Sequence, residues 1–483
     1  MMNSKEGAIC YRTPEETHTY AELYAASDAL SVWIDENLPA DGPVIVYGGL
    51  EFRMIVCFLA CVKAGRPYIP IDRHTPPERV RAIAEVARHT AVLEGGAARL
   101  PGEFGRVLAA GEIDGICARR DGASLPASKA VSGSDTFYII FTSGTTGGLK
   151  KAPKGVMVSY DNLMSFTNWI LRDFGIPSGS VWLAQAPFSF DLSVMNLWPA
   201  LMSGGTLAPL EREVTDDFTA LFRVLPGLGL RVWVSTPSFA DICLMDPSFS
   251  GETQPDLSHF LFCGEELLHS TAAKLTERFP NAAVHNLYGP TEATVAVTDV
   301  PITAGILASH DRLPVGAAKP GTDIVIIDDE IIICGDSVAK GYLNNAEATE
   351  AAFFTYQGKP AYRTGDAGVI EDGMLYFKGR LDFQIKLHGY RIELEDVEHY
   401  LCRLPSVNAA AVVPKYDGYK VKSLTAFVVP ADPESADRKA LKQELRETVM
   451  EYMVPHSIIF VERLPLSQNG KVNRRALIDE VNA

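Results

Sequence analysis

The stretch Thr142-Ser-Gly-Thr-Thr-Gly147 leaves the apolar run Phe137-Tyr-Ile-Ile-Phe141 and is followed by Lys150, Lys151 and Lys154. Hydroxyls at Thr142, Ser143, Thr145 and Thr146, with Gly144 and Gly147 among them, let side-chain donors and backbone N–H groups converge on an anion, because glycine accepts positive φ and has no Cβ in the way. The lysines behind the loop supply countercharge. No Gly-Lys-Ser/Thr closes the loop, so it is not the phosphate loop of kinases and GTPases. Taken alone, a phosphate cradle and an ordinary glycine-rich turn remain equal readings. Four further segments bear on the choice: Phe190-Asp-Leu-Ser-Val194, Tyr288-Gly-Pro-Thr-Glu292, Tyr362-Arg-Thr-Gly-Asp366 and Asn469-Gly-Lys471. In isolation Tyr288-Gly-Pro290 is a plain turn, Glu292 an exposed acid, Asp366 a turn residue and Lys471 a solvated lysine.

These residues need a scaffold, and the periodicity supplies one. From about residue 19 to 340, short apolar runs alternate with segments of helical spacing. Pro43 to Tyr47 precedes a helix over 53 to 64, Val232 to Ser235 precedes one from Phe239 to Leu244, and Phe260 to Phe262 precedes one from Leu267 to Phe279. That alternation predicts an α/β fold with parallel sheet covered by helices, whose ligands bind beyond the carboxyl ends of strands, where the 142 to 147 loop lies. Near residue 322 the pattern changes, and Ile324 to Ile327 with Ile331 to Cys334 predict an antiparallel hairpin. From Phe383 a strand, a turn at Gly389, a helix with Leu394, Val397, Leu401 and Leu404 on one face, strands over Ala409 to Val413 and Leu424 to Val429, and a helix from Ala440 to Tyr452 predict a small α+β domain. The expected division is a large domain over 1–381 and a small mobile one over 382–483, with the hinge at Asp382.

Composition narrows the possible functions. The chain has 483 residues, 47% hydrophobic and 22% charged, with a formal net charge of −16. Such a balance gives an ordinary globular protein and excludes the basic stripe that nonspecific binding to nucleic acid or anionic membrane requires. The apolar stretch from Met54 to Val62 is far shorter than the ~20 residues of a membrane span. It reads as a core helix. The N-terminus lacks the pattern of a signal peptide, which predicts a cytoplasmic protein. The eight cysteines show no metal spacing and read as buried small hydrophobes.

Taken in order, the five segments resemble the adenylate-forming superfamily of acyl-CoA ligases, nonribosomal peptide synthetase adenylation domains and luciferases. The likeness runs from Thr19-Tyr-Ala-Glu-Leu23 through Gly379-Arg-Leu-Asp382 and Gly389-Tyr-Arg-Ile-Glu-Leu394 to Asn469-Gly-Lys471. It implies that Thr142, Ser143, Gly144, Thr145, Thr146 and Lys154 hold the phosphates of ATP. It further implies that Asn286, Tyr288, Gly289 and Thr291 border the adenosine, with Tyr288 stacked on adenine, and that Asp366 accepts the ribose hydroxyls with Arg380 in support. Glu292 matches the Mg²⁺ ligand, and a lone carboxylate suits an ion that completes its shell with phosphate oxygens and water. Lys471 matches the lysine that stabilises charge as pyrophosphate leaves, so it counts as both catalytic and ATP-binding. In relatives the small domain then turns about its hinge so that a thiol attacks the acyl adenylate.

Within that superfamily, Asp191 is similar to the aspartate that pairs with a substrate α-ammonium; its simpler reading is a helix N-cap or solvated acid. Cys263 stands where many relatives have glycine and narrows the cavity to a small side chain. Asp191, Leu192, Cys263 and Val295 together resemble the D-alanine-activating ligases that load a carrier protein for teichoic acid D-alanylation. The implied partners are D-alanine and a separate phosphopantetheine-bearing carrier protein, and the chain is expected to be a monomer. Arg474 with Arg475, or Lys420 with Lys422, are candidate docking cations. Three departures stand out. Gly148 to Ala152 lengthen the spacer before Pro153, the 324 to 334 hairpin is short, and the helix that relatives have before the position of Gly7 is not evident. The alternatives are a stand-alone adenylating enzyme for another small amino acid, such as L-alanine or glycine, and an impaired homologue that binds nucleotide or carrier protein.

Overall fold

The computed structural model describes residues 7–119, 122–142, 153–381, 384–418, 420–434, 436–465 and 472–482. The fold is mixed α/β, with a large N-terminal part built of helix-covered sheets and a smaller α+β C-terminal part. Ser143 to Ala152, Asp382 and Lys471 lie outside the described residues. The chain divides into two compact units. One comprises Met1–Arg73, Ala87–Phe141 and Gly155–Gly379; the other comprises His74–Val86, Thr142–Lys154 and Arg380–Ala483.

The larger unit carries two parallel-centred sheets. In the six-stranded sheet the strands Val44–Gly48, Tyr68–Asp72, Ala91–Glu94 and Thr136–Thr142 are joined by parallel pairings, as the alternating pattern predicts. The helix Phe52–Lys63 is buried continuously from Met54 to Val62, so it is a core helix. In the nine-stranded sheet Val232–Ser235, His259–Phe262 and Ala283–Tyr288 lie side by side and parallel. Their register aligns Ser235, Phe262 and Asn286 across the carboxyl end, so the residues that follow emerge on one edge. Beyond Tyr288 the sheet turns antiparallel, with Thr298–Pro301 returning alongside Ala283–Tyr288. The predicted hairpin is present as Thr322–Ile327 against Glu330–Gly335, extended by Lys359–Glu371. Asp328 and Asp329, the two residues of the turn, take positive φ, 51° and 65°, as a tight hairpin connection needs.

Local chemistry fixes the element ends. Thr19 caps the helix Tyr20–Asn37 by accepting from the Glu22 N–H, and Glu22 accepts from the Thr19 N–H at 2.7 Å, a reciprocal capping box. Leu192–Met202 is buried from Leu192 to Leu201 and belongs to the core rather than to a surface layer.

In the smaller unit, Gln384–Leu387 and Tyr390–Glu393 form a hairpin around His388 and Gly389, whose φ values of 51° and 81° suit a two-residue turn. Helix Leu394–Cys402 packs with the antiparallel strands Val407–Asp417 and Lys420–Pro430, and Ser457–Phe460 adds parallel to the latter. The last expected helix is shorter than its periodicity predicts. It covers Arg438–Arg446, and the Thr448 hydroxyl donates to the Leu445 carbonyl at 3.0 Å, competing with continuation of the helix. Among the described residues no helix is long and apolar enough to cross a membrane. All eight cysteines are free, six of them buried, and burial pushes the Cys57 and Cys61 thiols well up.

Candidate active site

Five segments distant in sequence, around Asp191, Cys263, Thr291, Tyr342 and Asp366, are joined by side-chain hydrogen bonds. Asp191 opens the helix Leu192–Met202 but makes no capping hydrogen bond with its side chain. Instead its carboxylate accepts from the Thr291 hydroxyl at 2.7 Å, across 100 residues of sequence. Only 9% of Asp191 is exposed, so neither the cap nor the solvated-acid reading describes it. Leu192 lies beside it, 2% exposed. Cys263 follows the strand His259–Phe262 and donates its thiol to the Val295 carbonyl at 3.6 Å. Thus the four residues assigned to an acid pocket come together in pairs, through Thr291 and Val295 of one short segment.

That segment follows the strand Ala283–Tyr288. Asn286 spends a side-chain N–H on the Pro314 carbonyl at 2.8 Å. Gly289 is required by packing: a Cβ there would stand 2.6 Å from the Ala296 Cα. Glu292 lies in the short helical turn Thr291–Ala293 and is fully buried, which overturns the reading of it as an exposed acid. One of its oxygens accepts from the Tyr342 hydroxyl at 2.9 Å. A buried carboxylate on a fixed turn fits a divalent cation that brings its remaining oxygens from water and phosphate. Among the described residues no cluster of three or more metal-binding side chains occurs, so none of them forms an all-protein cage around Glu292.

Tyr288 donates its phenol to the Asp366 carboxylate. Asp366 sits on the strand Lys359–Glu371, 2% exposed, with its N–H held by Thr364 Oγ1 at 3.0 Å. An aromatic face and a hydrogen-bonding carboxylate are therefore adjacent, as a nucleoside requires. Tyr138, on the strand Thr136–Thr142, is buried with no hydrogen-bond partner for its hydroxyl among the described residues. Burial, then the neighbouring Tyr68 and Asp191, hold its phenol well above the usual value, so it stays protonated.

The remaining assigned residues belong to the other unit. Thr142 ends its strand with its carbonyl accepting from Arg79 Nη2 at 2.9 Å, while its buried hydroxyl has no partner among the described residues. A hydroxyl at this position, where the glycine-rich segment begins, could donate to an anion. Lys154 begins the strand Lys154–Ser159 and is 9% exposed; Arg380 ends Met374–Arg380. Ser143, Gly144, Thr145, Thr146, Lys471 and Asp382 lie outside the described residues. Of the docking cations, Arg474 is committed internally. It is ion-paired with Glu398 and lies 3.4 Å from Glu395, with its side chain 11% exposed. Three residues escape sequence reasoning: Tyr342, Thr294 and Ser337 act through contacts no motif announces.

A family model described as AMP-binding enzyme matches residues 2–343, and one described as AMP-binding enzyme C-terminal domain matches 396–471. A protein named D-alanine--D-alanyl carrier protein ligase from Lactiplantibacillus plantarum is 49% identical, over 98% of this chain and 96% of its own length. Its namesake from Bacillus licheniformis is 46% identical over the same shares. The solved Vibrio cholerae adenylation domain AlmE, in complex with glycyl-adenosine-5'-phosphate, has a TM-score of 0.82 at 22% identity, covering 99% of this chain and 96% of that one, a likeness of fold. Both the family models and these near-full-length relatives converge on one answer: the chain belongs to the AMP-binding enzyme family.

Proposed function

We propose that this chain joins ATP and D-alanine to give D-alanyl adenylate and pyrophosphate, then passes the D-alanyl group to the phosphopantetheine thiol of a separate carrier protein, the loading step of teichoic acid D-alanylation. The observation that carries it is the buried Asp191 carboxylate, bonded to Thr291 on the same segment as Glu292 and Val295. A carboxylate held this far from water favours a positively charged group beside it, such as a substrate ammonium. Relatives named for D-alanine and its carrier protein, 49% and 46% identical, support the choice of acid.

In the first step a carboxylate oxygen of D-alanine attacks the α-phosphorus as the bond to the β-phosphate breaks. Asp191 and the wall formed by Leu192, Cys263 and Val295 orient the amino acid, while Tyr288, Asn286, Gly289, Thr291 and Asp366 border the nucleoside. Thr142, Ser143, Gly144, Thr145 and Thr146 donate hydrogen bonds to phosphate oxygens, and Lys154 and Arg380 neutralise phosphate charge. Glu292 would hold Mg²⁺, which shields the phosphates when bound. Lys471 stabilises the negative charge that develops between the two reacting anions. In the second step the carrier thiol loses its proton, sulfur attacks the acyl carbon, and AMP leaves. Asp382 is the proposed hinge between large and small domains, and the change of unit at Gly379 and Arg380 beside it supports that position. A cytoplasmic location suits a reaction that consumes ATP.

Pyrophosphate exchange with D-alanine, L-alanine and glycine tests the reading. Exchange strongest with D-alanine, abolished by Lys471→Ala while ATP still binds, is the expected result. Preference for L-alanine or glycine replaces the substrate, and saturable ATP binding without exchange replaces the enzyme with a binding protein.

A further inference from the structure

The wall of the proposed amino-acid pocket contains a backbone conformation that needs explaining. Thr294 and Val295 both have positive φ, 58° and 71°, and neither is glycine. The Ala296 N–H donates to the Thr294 carbonyl at 2.9 Å, closing a three-residue turn around Val295. A γ-turn of this hand is rare, and a β-branched residue at its centre is disfavoured further. Such a conformation persists only when its surroundings over-determine it.

Three fastenings do so. The Thr294 hydroxyl donates to the Ser337 carbonyl at 2.8 Å, and both residues are fully buried. Ser337 is itself braced, its hydroxyl 2.9 Å from Thr322 Oγ1. Cys263 donates to the Val295 carbonyl, and Gly289 leaves the gap that the corner fills, since a Cβ there would stand 2.8 Å from the Val295 oxygen. Two residues before Thr294, the Glu292 carbonyl accepts from the Ala339 N–H at 2.9 Å, so the two segments are tied at a second point.

We propose that Thr294 and Ser337 are positioning residues for amino-acid selectivity: their hydrogen bond clamps the Val295 turn, and the clamped backbone, rather than side-chain bulk alone, limits the pocket to a methyl-sized substituent. This rests on the adenylation reading above. A wall made of main chain cannot yield by changing rotamer, so it excludes an added methylene more firmly than a flexible side chain does.

The test uses the full chain and Thr294→Val, which keeps shape but loses the hydroxyl, beside Thr294→Ser, which keeps the hydroxyl. Pyrophosphate exchange is measured with D-alanine and with D-2-aminobutyrate, one methylene larger. Discrimination of this kind is worth about 10–200-fold in a good pocket. Thr294→Val is expected to lose about tenfold of it, within that range, with a higher KM for D-alanine and unchanged KM for ATP. Thr294→Ser is expected to keep the wild-type ratio. An unchanged ratio in Thr294→Val, or equal loss in both variants, overturns the proposal. Melting separates strain from fold damage. Because glycine accepts φ of 71° and alanine does not, Val295→Gly melts above Val295→Ala if the turn is strained, and the reverse order also overturns it. Wild-type protein that exchanges no amino acid defeats the adenylation reading itself, whereas wild-type exchange with intact selectivity in Thr294→Val defeats only this inference.

Discussion

Replacing Asp191 by asparagine removes a charge and little else. Asparagine has nearly the same shape, and its carbonyl oxygen can still accept from Thr291, which now donates to the carboxylate at 2.7 Å. The residue is 9% exposed, so water screens the lost interaction poorly. Truncating one partner of a buried, hydrogen-bonded charge pair costs about 2–5 kcal/mol. At about 1.4 kcal/mol per factor of ten, the KM for D-alanine should rise between roughly 30-fold and a few thousand-fold. Thr291→Val is the graded companion. It keeps the charge but removes a hydrogen bond to it, a loss of about 1.5–3 kcal/mol, so its effect should be the smaller of the two. The assay is pyrophosphate exchange with D-alanine titrated at saturating ATP and then ATP titrated at saturating D-alanine. A D-alanine KM within about fivefold of wild type, or an equal rise in the ATP KM, would refute the proposed pairing of Asp191 with the ammonium, which predicts a loss confined to the amino acid.

Other perturbations test neighbouring features. Tyr342→Phe removes the donor to buried Glu292, and losing a hydrogen bond to a charged group costs about 1.5–3 kcal/mol, so the melting temperature should fall and the Mg²⁺ needed for half-maximal exchange should rise; no change in either would show that the phenol does not position the carboxylate. Arg474→Ala takes the guanidinium from Glu398, whose side chain is 15% exposed, and losing a hydrogen bond between charged groups should lower stability in urea unfolding by about 1.5–3 kcal/mol, whereas a loss below about 1 kcal/mol would mark the pair as solvated. Lys319 is 2% exposed and donates to Ser165 Oγ at 2.6 Å, and burial lowers its pKa to about 8 from 10.5. Between those values the unfolded chain binds more protons than the folded one, so this group makes stability rise with pH from about 8 to 10.5 and withdraws that gain as pH falls through 8. Lys319→Met should flatten the rise in a melting series across that window; an unaltered slope would contradict the shift.

The elements were legible where side-chain period and length agree. Val232–Ser235 and Phe52–Lys63 follow directly from an apolar run and a fenced apolar stretch, and the 322 to 335 hairpin follows from two isoleucine runs around Asp328 and Asp329. The end of the Arg438–Arg446 helix was not legible, because side-chain competition at Thr448 depends on geometry that apolar spacing does not encode. In the site, Asp191 and Glu292 were visible as residue types in motifs. Their partners were not. Thr291 lies 100 residues from Asp191 and Tyr342 lies 50 from Glu292, and only the folded sheet edge brings them within a hydrogen bond. Arg474 shows the converse error: a cation in a polar tail reads as a docking residue until Glu398 is found beneath it.

The run from Tyr288 to Val295 serves every party to the proposed reaction, since it carries the aromatic ring, the anchor of Asp191, the buried Glu292 and the strained wall. Such economy constrains redesign. On the proposed reading, recutting this ribbon for another amino acid would also disturb the residues assigned to nucleotide and cation. Cys263 arrives from the neighbouring strand and reaches the ribbon through its thiol bond to the Val295 carbonyl, so a change there would loosen one fastening of the wall while leaving Tyr288, Glu292 and Asp366 in place.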